Sequence, residues 1–218
     1  MAETVPFETP QAPRGRAFVK GKATRRAIMQ AAQTVFAREG FMNAEISHIT
    51  EAAGKAKGTF YLYFDSKTDL LAAMVQAFAE DLRAPDKLAE PTHPPEQIRR
   101  VITTIWTTFR QHAPTFRALA EAATKHPEFA EINRNLRSYA VRDFTTMIRS
   151  RQEAGFCRHL DAELGAAALE SMLANCIYEW MAIKDGILDG PLDEARALNA
   201  LVTIMQLAME LPPDGSSV

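Results

Sequence analysis

Residues 55 to 63 read Lys55-Ala56-Lys57-Gly58-Thr59-Phe60-Tyr61-Leu62-Tyr63, which sets two cations, a glycine and three hydroxyls within nine positions. No nucleophile stands beside a base here, so the chemistry on offer is the binding of phosphate oxygens by ammonium, hydroxyl and backbone N–H donors. Lys55 and Lys57 fall at the start of a helical segment, where cations oppose the helix dipole. That cost is offset if a phosphate arrives, because lysines and helix N–H groups then bind the anion jointly. Gly58 lets a backbone approach a duplex closely, Thr59 reaches a base edge or a phosphate, and Tyr61 and Tyr63 offer hydroxyls to phosphate oxygens. Taken singly, the two lysines read more simply as a solvated helix end, and the two tyrosines as readily as core-edge aromatics.

The elements around this cluster decide what it can reach. Ile46, Ile49 and Ala53 form one stripe on a short helix that stops before Gly54, and a second short helix follows over Ala56–Phe64. Glycine suits the left-handed turn that swings one helix across another, so the pair reads as a helix-turn-helix with its second helix placed for the major groove. A preceding helix opens at Lys22, carries Ile28, Ala32, Val35 and Phe36, and stops at Gly40. A following helix opens at Lys67 with Ser66 or Asp65 as its cap and runs to Arg83, where Pro85 interrupts it. Residues 1–21 are expected to form a flexible basic arm, with Arg14, Arg16 and Lys20 near its end, and residues 212–218 a disordered tail.

The ordered run Gly40-Phe41, Ile49-Thr50-Glu51-Ala52-Ala53-Gly54, Lys57-Gly58-Thr59-Phe60-Tyr61-Leu62-Tyr63-Phe64, Ser66-Lys67 and Leu70-Leu71 resembles the DNA-binding signature of TetR-family regulators. The resemblance implies phosphate contacts from Lys57, Tyr61, Tyr63 and Lys67, and a base-edge or phosphate contact from Thr59. It also implies close approach at Gly58, with Phe60 and Phe64 holding the motif to the first helix. Three positions depart from the pattern. Ala44-Glu45 replaces a usual hydroxyl pair, which passes the N-cap of the second helix to Asn43 or Ser47, and Ala56 removes a potential phosphate hydrogen bond that Lys55 compensates. The implied domains are 22–67 for DNA binding and 68–211 for ligand sensing and dimerisation.

That larger region reads as helices throughout, so the fold class is all-α: a three-helix N-terminal helix-turn-helix domain plus a larger helical domain. Breaks are expected at His112–Pro114, at His126–Pro127, near Gly155, before an Asp161 cap, and between Gly186 and Gly190. A pocket between helices would bind an apolar molecule, and its candidate lining is Trp106, Phe109, Phe116, Tyr139, Phe144, Met147, Met172, Asn175, Cys176 and Glu179. For each apolar member the competing reading is core packing; for Glu179 it is a surface or dimer-interface carboxylate. An Ala stripe (Ala166, Ala167, Ala168, Ala174) and an apolar stripe (Leu198, Leu201, Val202, Met205) mark the last two long helices as the homodimer interface. Dimerisation also follows from physics, since one short recognition helix reads too few bases for specific binding.

Bulk properties fit this picture. Residues 1–67 hold ten Lys/Arg against six Asp/Glu, a charge of +4, whereas the remainder is at −6, so the polyanion-binding surface is expected N-terminally. The five histidines (48, 93, 112, 126, 159) lack metal-ligand spacing, and neither a phosphate-cradling glycine loop nor a nucleophile elbow is present. An enzyme, a metal and a cofactor are therefore not expected. Cys157 and Cys176 are expected to be reduced thiols, and the compartment the cytoplasm, with no membrane span. The expected function is a repressor that leaves a two-fold symmetric double-stranded DNA operator when a small lipophilic ligand binds. The alternative, motivated by Glu45 and Ala56, is a helical interaction module of the same scaffold with weak or lost DNA binding.

Overall fold

The computed structural model describes residues 16–83, 94–181 and 192–211. It contains eight helices among these residues and no strand: α1 (Arg16–Asn43), α2 (Ile46–Ala52), α3 (Lys57–Phe60), α4 (Lys67–Arg83), α5 (Pro94–Ala123), α6 (Pro127–Glu153), α7 (Ala162–Met181) and α8 (Glu194–Ala208). The expected arm is helical from Arg16, six residues before the anticipated start. Its earlier part, Pro85, Gly186, Gly190 and the tail from Pro212 lie outside the described residues.

Local chemistry accounts for most helix ends. Ser66 Oγ accepts from Asp69 N at 3.0 Å and so caps α4, and the Asp69 carboxylate accepts from Asp65 N. Asp161 Oδ1 accepts from the N–H groups of Glu163 and Leu164, which starts α7 as expected. Asp193 does the same for α8 through Arg196 N. Glu45 occupies the N-cap of α2 without a side-chain cap bond; neither Asn43 nor Ser47 takes that role, and the Ser47 hydroxyl instead donates to the Glu45 carboxylate. The anticipated break near Pro114 is a kink, since α5 continues through it with His112 at φ −110°, ψ 16°. Proline removes one ladder bond there, yet packing on both sides holds the axis together.

Two apolar cores result. The first joins Ile28, Val35, Phe36 and Phe41 of α1 to Ile49, Phe60, Phe64 and Leu70, Leu71, Met74 and Val75 of α4. It also takes in Ala118, Leu119 and Ala122 from the end of α5, with Phe129 of α6. The expected boundary at 67/68 therefore cuts through a continuous core, and the C-terminal turns of α5 pack with α1–α4. The second core gathers Ile98, Ile102 and Trp106 of α5 with Phe144, Ile148, Leu173, Ile177, Leu201, Val202 and Met205. Leu201, Val202, Met205 and Ala166 are fully covered by their own chain, so much of the stripe assigned to dimerisation is intrachain core. The large apolar side chains that α7 and α8 expose are Leu164, Ile204 and Leu207, and Ala168 of the alanine stripe is exposed as well. No helix among the described residues is long and apolar enough to cross a membrane.

Candidate nucleic-acid interface and ligand pocket

The turn between α2 and α3 is built by backbone geometry. Gly54 adopts φ +61°, its N–H donates to Glu51 O at 3.0 Å, and Lys55 N donates to Thr50 O at 2.8 Å. This pair of bonds is a Schellman motif, which closes α2 and requires the left-handed residue that glycine supplies without strain. The recognition segment is one α-turn, Lys57–Phe60, rather than the full Ala56–Phe64 stretch. Tight turns follow it, with Leu62 N donating to Thr59 O and Tyr63 N to Phe60 O. Phe60 and Phe64 anchor the segment in the first core, their rings 5.7 Å apart.

With those two side chains pointing inward, their neighbours point out. Lys55, Lys57 and Gly58 are exposed and Thr59 is half-buried. Tyr61 is 49% exposed with its ring edge-on to Phe60. A Cβ added at Gly58 would meet nothing within 4 Å, and the residue lies outside the left-handed region. Nothing inside the chain therefore requires glycine there. Leu62, 77% exposed beside Tyr61, is an apolar side chain on the same segment that sequence reasoning missed. Tyr63 is half-buried and lies against α1, where a Cβ on Gly21 would sit 3.7 Å from its hydroxyl. Arg25 brings a guanidinium over the Phe64 ring at 5.0 Å, which draws the basic end of α1 onto this face.

Lys67 departs from expectation. Its ammonium donates to Phe41 O at 2.6 Å, Ala44 O at 2.7 Å and Met42 O at 3.2 Å, and sits 4.7 Å from the Phe41 ring centroid. Three donors meet three carbonyls left open where α1 ends. Burial pushes the amine below its usual range, and the charges of Glu121 and Glu45 push it back. Lys67 is thus a cap on the first helix, and its side chain is not presented to a phosphate.

The second site is a cavity of about 620 Å³ lined by α4, α5, α6 and α7 and open to solvent on one side. Four of the expected residues line it: Phe109, Phe116, Phe144 and Asn175. Helical register explains the others. On α5, Ile105, Phe109 and Phe116 share the cavity stripe while Trp106, one step round, faces the second core and packs 6.3 Å from Trp180. Met147, Met172 and Cys176 pack against that same core. Tyr139 is on the outer face of α6 under the guanidinium of Arg142, and Glu179 is half-buried away from the lining.

Sequence reasoning missed the contribution of α4. Phe78 meets Phe109 at 5.0 Å and Phe116 at 6.2 Å, and Phe116 meets Tyr178 at 5.8 Å, so an aromatic cluster spans α4, α5 and α7. His112 Nε2 ties α5 to Asp81 of α4 at 2.7 Å. At the far side, Arg137 forks onto the buried Glu170 with bonds of 2.7–3.0 Å. No interval in the sequence links residues on separate helices, which is why these partners were not legible.

Comparison with known proteins agrees with this geometry. Residues 28–74 match the family model described as bacterial regulatory proteins, tetR family, and residues 98–209 match that of the C-terminal domain of the transcriptional regulator EthR. The HTH-type transcriptional regulator EthR of Mycolicibacterium smegmatis is 29% identical over 148 residues, 66% of this chain and 68% of its own. The crystal structure of the TetR-family regulator PfmR from Thermus thermophilus superposes with a TM-score of 0.68 at 24% identity, covering 84% of this chain and 97% of the other. That of AibR in complex with isovaleryl coenzyme A and operator DNA gives 0.64 at 18% identity, covering 83% and 97%. Matched over both its helix-turn-helix and its C-terminal domain, the chain belongs to the tetR family of bacterial regulatory proteins and is a DNA-binding transcriptional regulator.

Proposed function

We propose that this regulator is a homodimeric repressor that leaves a two-fold symmetric operator when an apolar small molecule occupies the α4–α7 cavity. The observation that carries the reading is the course of α4. Its first residue, Lys67, caps the end of α1, which leads directly into the α2–α3 motif, and its later residues Phe78 and Leu82 line the cavity. A ligand that displaces Phe78 or Leu82 tilts α4 and with it the recognition segment. A coupling of roughly 1–3 kcal/mol suffices for a 5- to 150-fold change in operator affinity. In this reading the exposed apolar residues of α7 and α8, Leu164, Ile204 and Leu207, meet a second copy, and the two recognition segments stand about 34–36 Å apart. Lys55, Lys57, Tyr61 and Tyr63 contact phosphates, Thr59 and Leu62 face base edges, and Gly58 allows the close approach. The fold neighbour AibR was crystallised with both an acyl thioester and operator DNA.

A gel shift on the protein's own upstream DNA tests the interface. Lys57→Ala is expected to weaken binding across all sequences and to lower the salt slope by about one. Gly58→Ala is expected to leave folding intact, since alanine fits the local geometry, yet to cost about tenfold in affinity. Parent-like binding by both variants would place the contact face elsewhere, whereas a parent that fails to shift this DNA supports the interaction-module alternative. For the pocket, Ala174→Trp places an indole in the cavity and is expected to abolish ligand-dependent release. An unchanged response would locate the ligand elsewhere.

A further inference from the structure

A second depression, about 670 Å³, runs along the surface between α6 and α7 and shares Arg137, Glu170 and Ser171 with the apolar cavity. Arg134, Arg137, Arg142 and Arg149 line it, against the carboxylates of Glu163 and Glu170. The excess of positive charge is local, because residues 68–218 as a whole carry −6. Both carboxylates are already used: Arg137 forks onto Glu170, and Arg149 meets Glu163 at 2.8 Å. The Arg134 guanidinium makes no hydrogen bond or ion pair among the described residues. Arg142 lies 4.4 Å over the Tyr139 ring with the Asp143 carboxylate within electrostatic reach, and its side chain makes no hydrogen bond or ion pair among the described residues. The hydroxyls of Ser138, Thr145 and Thr146 donate to carbonyls of their own helix, which leaves the guanidiniums and the Ser171 hydroxyl, itself an acceptor from Arg137, as the side-chain donors of this groove.

Fifteen residues of α6 separate Arg134 from Arg149, roughly 22 Å of helix. That stripe is long enough for more than one anionic group. Planar five-donor arginines match phosphate oxygens, whereas a single carboxylate needs only one such fork. Resting on the reading that the apolar cavity is the effector site, we propose that the arginine groove is its second half: the effector is an amphipathic molecule whose apolar body fills the cavity and whose phosphate-bearing head lies along Arg134 and Arg142. Arg137 and Glu170 form the junction where the two parts meet. Arg137 also neutralises a buried acid, so the informative substitutions are at Arg134 and Arg142, which break no ion pair.

The test uses the full chain and calorimetric titration with three kinds of probe: saturated acyl-coenzyme A thioesters of short, medium and long chain, the matching free fatty acids, and coenzyme A alone. The parent is expected to bind at least one thioester about tenfold or more tightly than the matching acid, with an affinity that falls as salt rises. Arg134→Gln/Arg142→Gln is expected to bring that thioester down to the level of the acid, with the acid's own binding and the oligomeric state unchanged. Ala174→Trp is expected to lose thioester and acid together. Equal binding of thioester and acid by the parent, or a double variant that binds the thioester like the parent, overturns the proposal while leaving the apolar cavity as the effector site. A double variant that alters only the oligomeric state in sedimentation assigns the groove to a subunit contact and likewise overturns it. Failure of every apolar probe on the parent, together with an unchanged response of Ala174→Trp in the operator assay, removes the cavity reading itself.

Discussion

Lys67→Met is expected to lower the stability of the protein by about 2–3 kcal/mol and to leave the salt dependence of operator binding, per folded molecule, at the parental value. The first part follows from the three carbonyls that the ammonium satisfies. Phe41 is nearly fully covered and its carbonyl receives the shortest of the three bonds, 2.6 Å. Removing a charged donor strands acceptors where α1 ends, and methionine fills the space without replacing any bond. The second part separates a cap from a phosphate contact, because only a cation at the duplex releases a counterion on binding. Denaturant midpoints and gel shifts across a salt series measure the two independently. A variant as stable as the parent with a salt slope smaller by about one would return Lys67 to the DNA face and contradict the cap assignment.

Gly40→Ala is the second large effect, an expected loss of about 1–3 kcal/mol. Gly40 lies at φ +76°, ψ 163°, a region of backbone space that is essentially glycine's alone. Its surroundings add to the strain. A Cβ here would stand 3.1 Å and 3.3 Å from the two carboxylate oxygens of Glu121. That carboxylate accepts Phe41 N at 2.8 Å and is held by Arg117 Nε at 3.1 Å, so it ties the end of α1 to the last turns of α5. Ala120, its neighbour, lines the cavity between α4 and α7. Gly40→Ala is therefore expected to weaken the hold of α5 on the DNA-binding motif as well as overall stability. Glu121→Gln distinguishes the two causes: it keeps an acceptor for Phe41 N and introduces no strain, so its stability loss is expected to be the smaller. Thermal or denaturant unfolding of both variants gives the comparison, and a Gly40→Ala protein as stable as the parent would refute the strain.

The features legible in the sequence are those whose causes lie within a few residues. Gly54 announces a left-handed turn because no other residue adopts φ +61° so cheaply, and Ser66 and Asp161 announce helix starts because their side chains reach N–H groups two or three positions on. The apolar period of α1 specifies the face that meets α2. Even locally the reading falters where two outcomes are close in energy. Alpha-helical and tight-turn hydrogen bonds compete after Phe60, and the recognition segment ends earlier than its composition suggests.

Read alone, the sequence determined an all-α chain, a glycine-jointed helix pair with lysines and a tyrosine facing outward, and the family to which that motif belongs. It did so because turn, cap and period are local properties of the chain. Tertiary structure alone decided that Lys67 closes the end of α1, that Trp106 and Met172 are core while Phe78 and Arg137 border the cavity, and that Leu201, Val202 and Met205 are covered from within. Side chains one step apart on a helix differ by about 100° in direction, and only the placement of neighbouring helices selects which of those directions is a wall, a pocket or solvent.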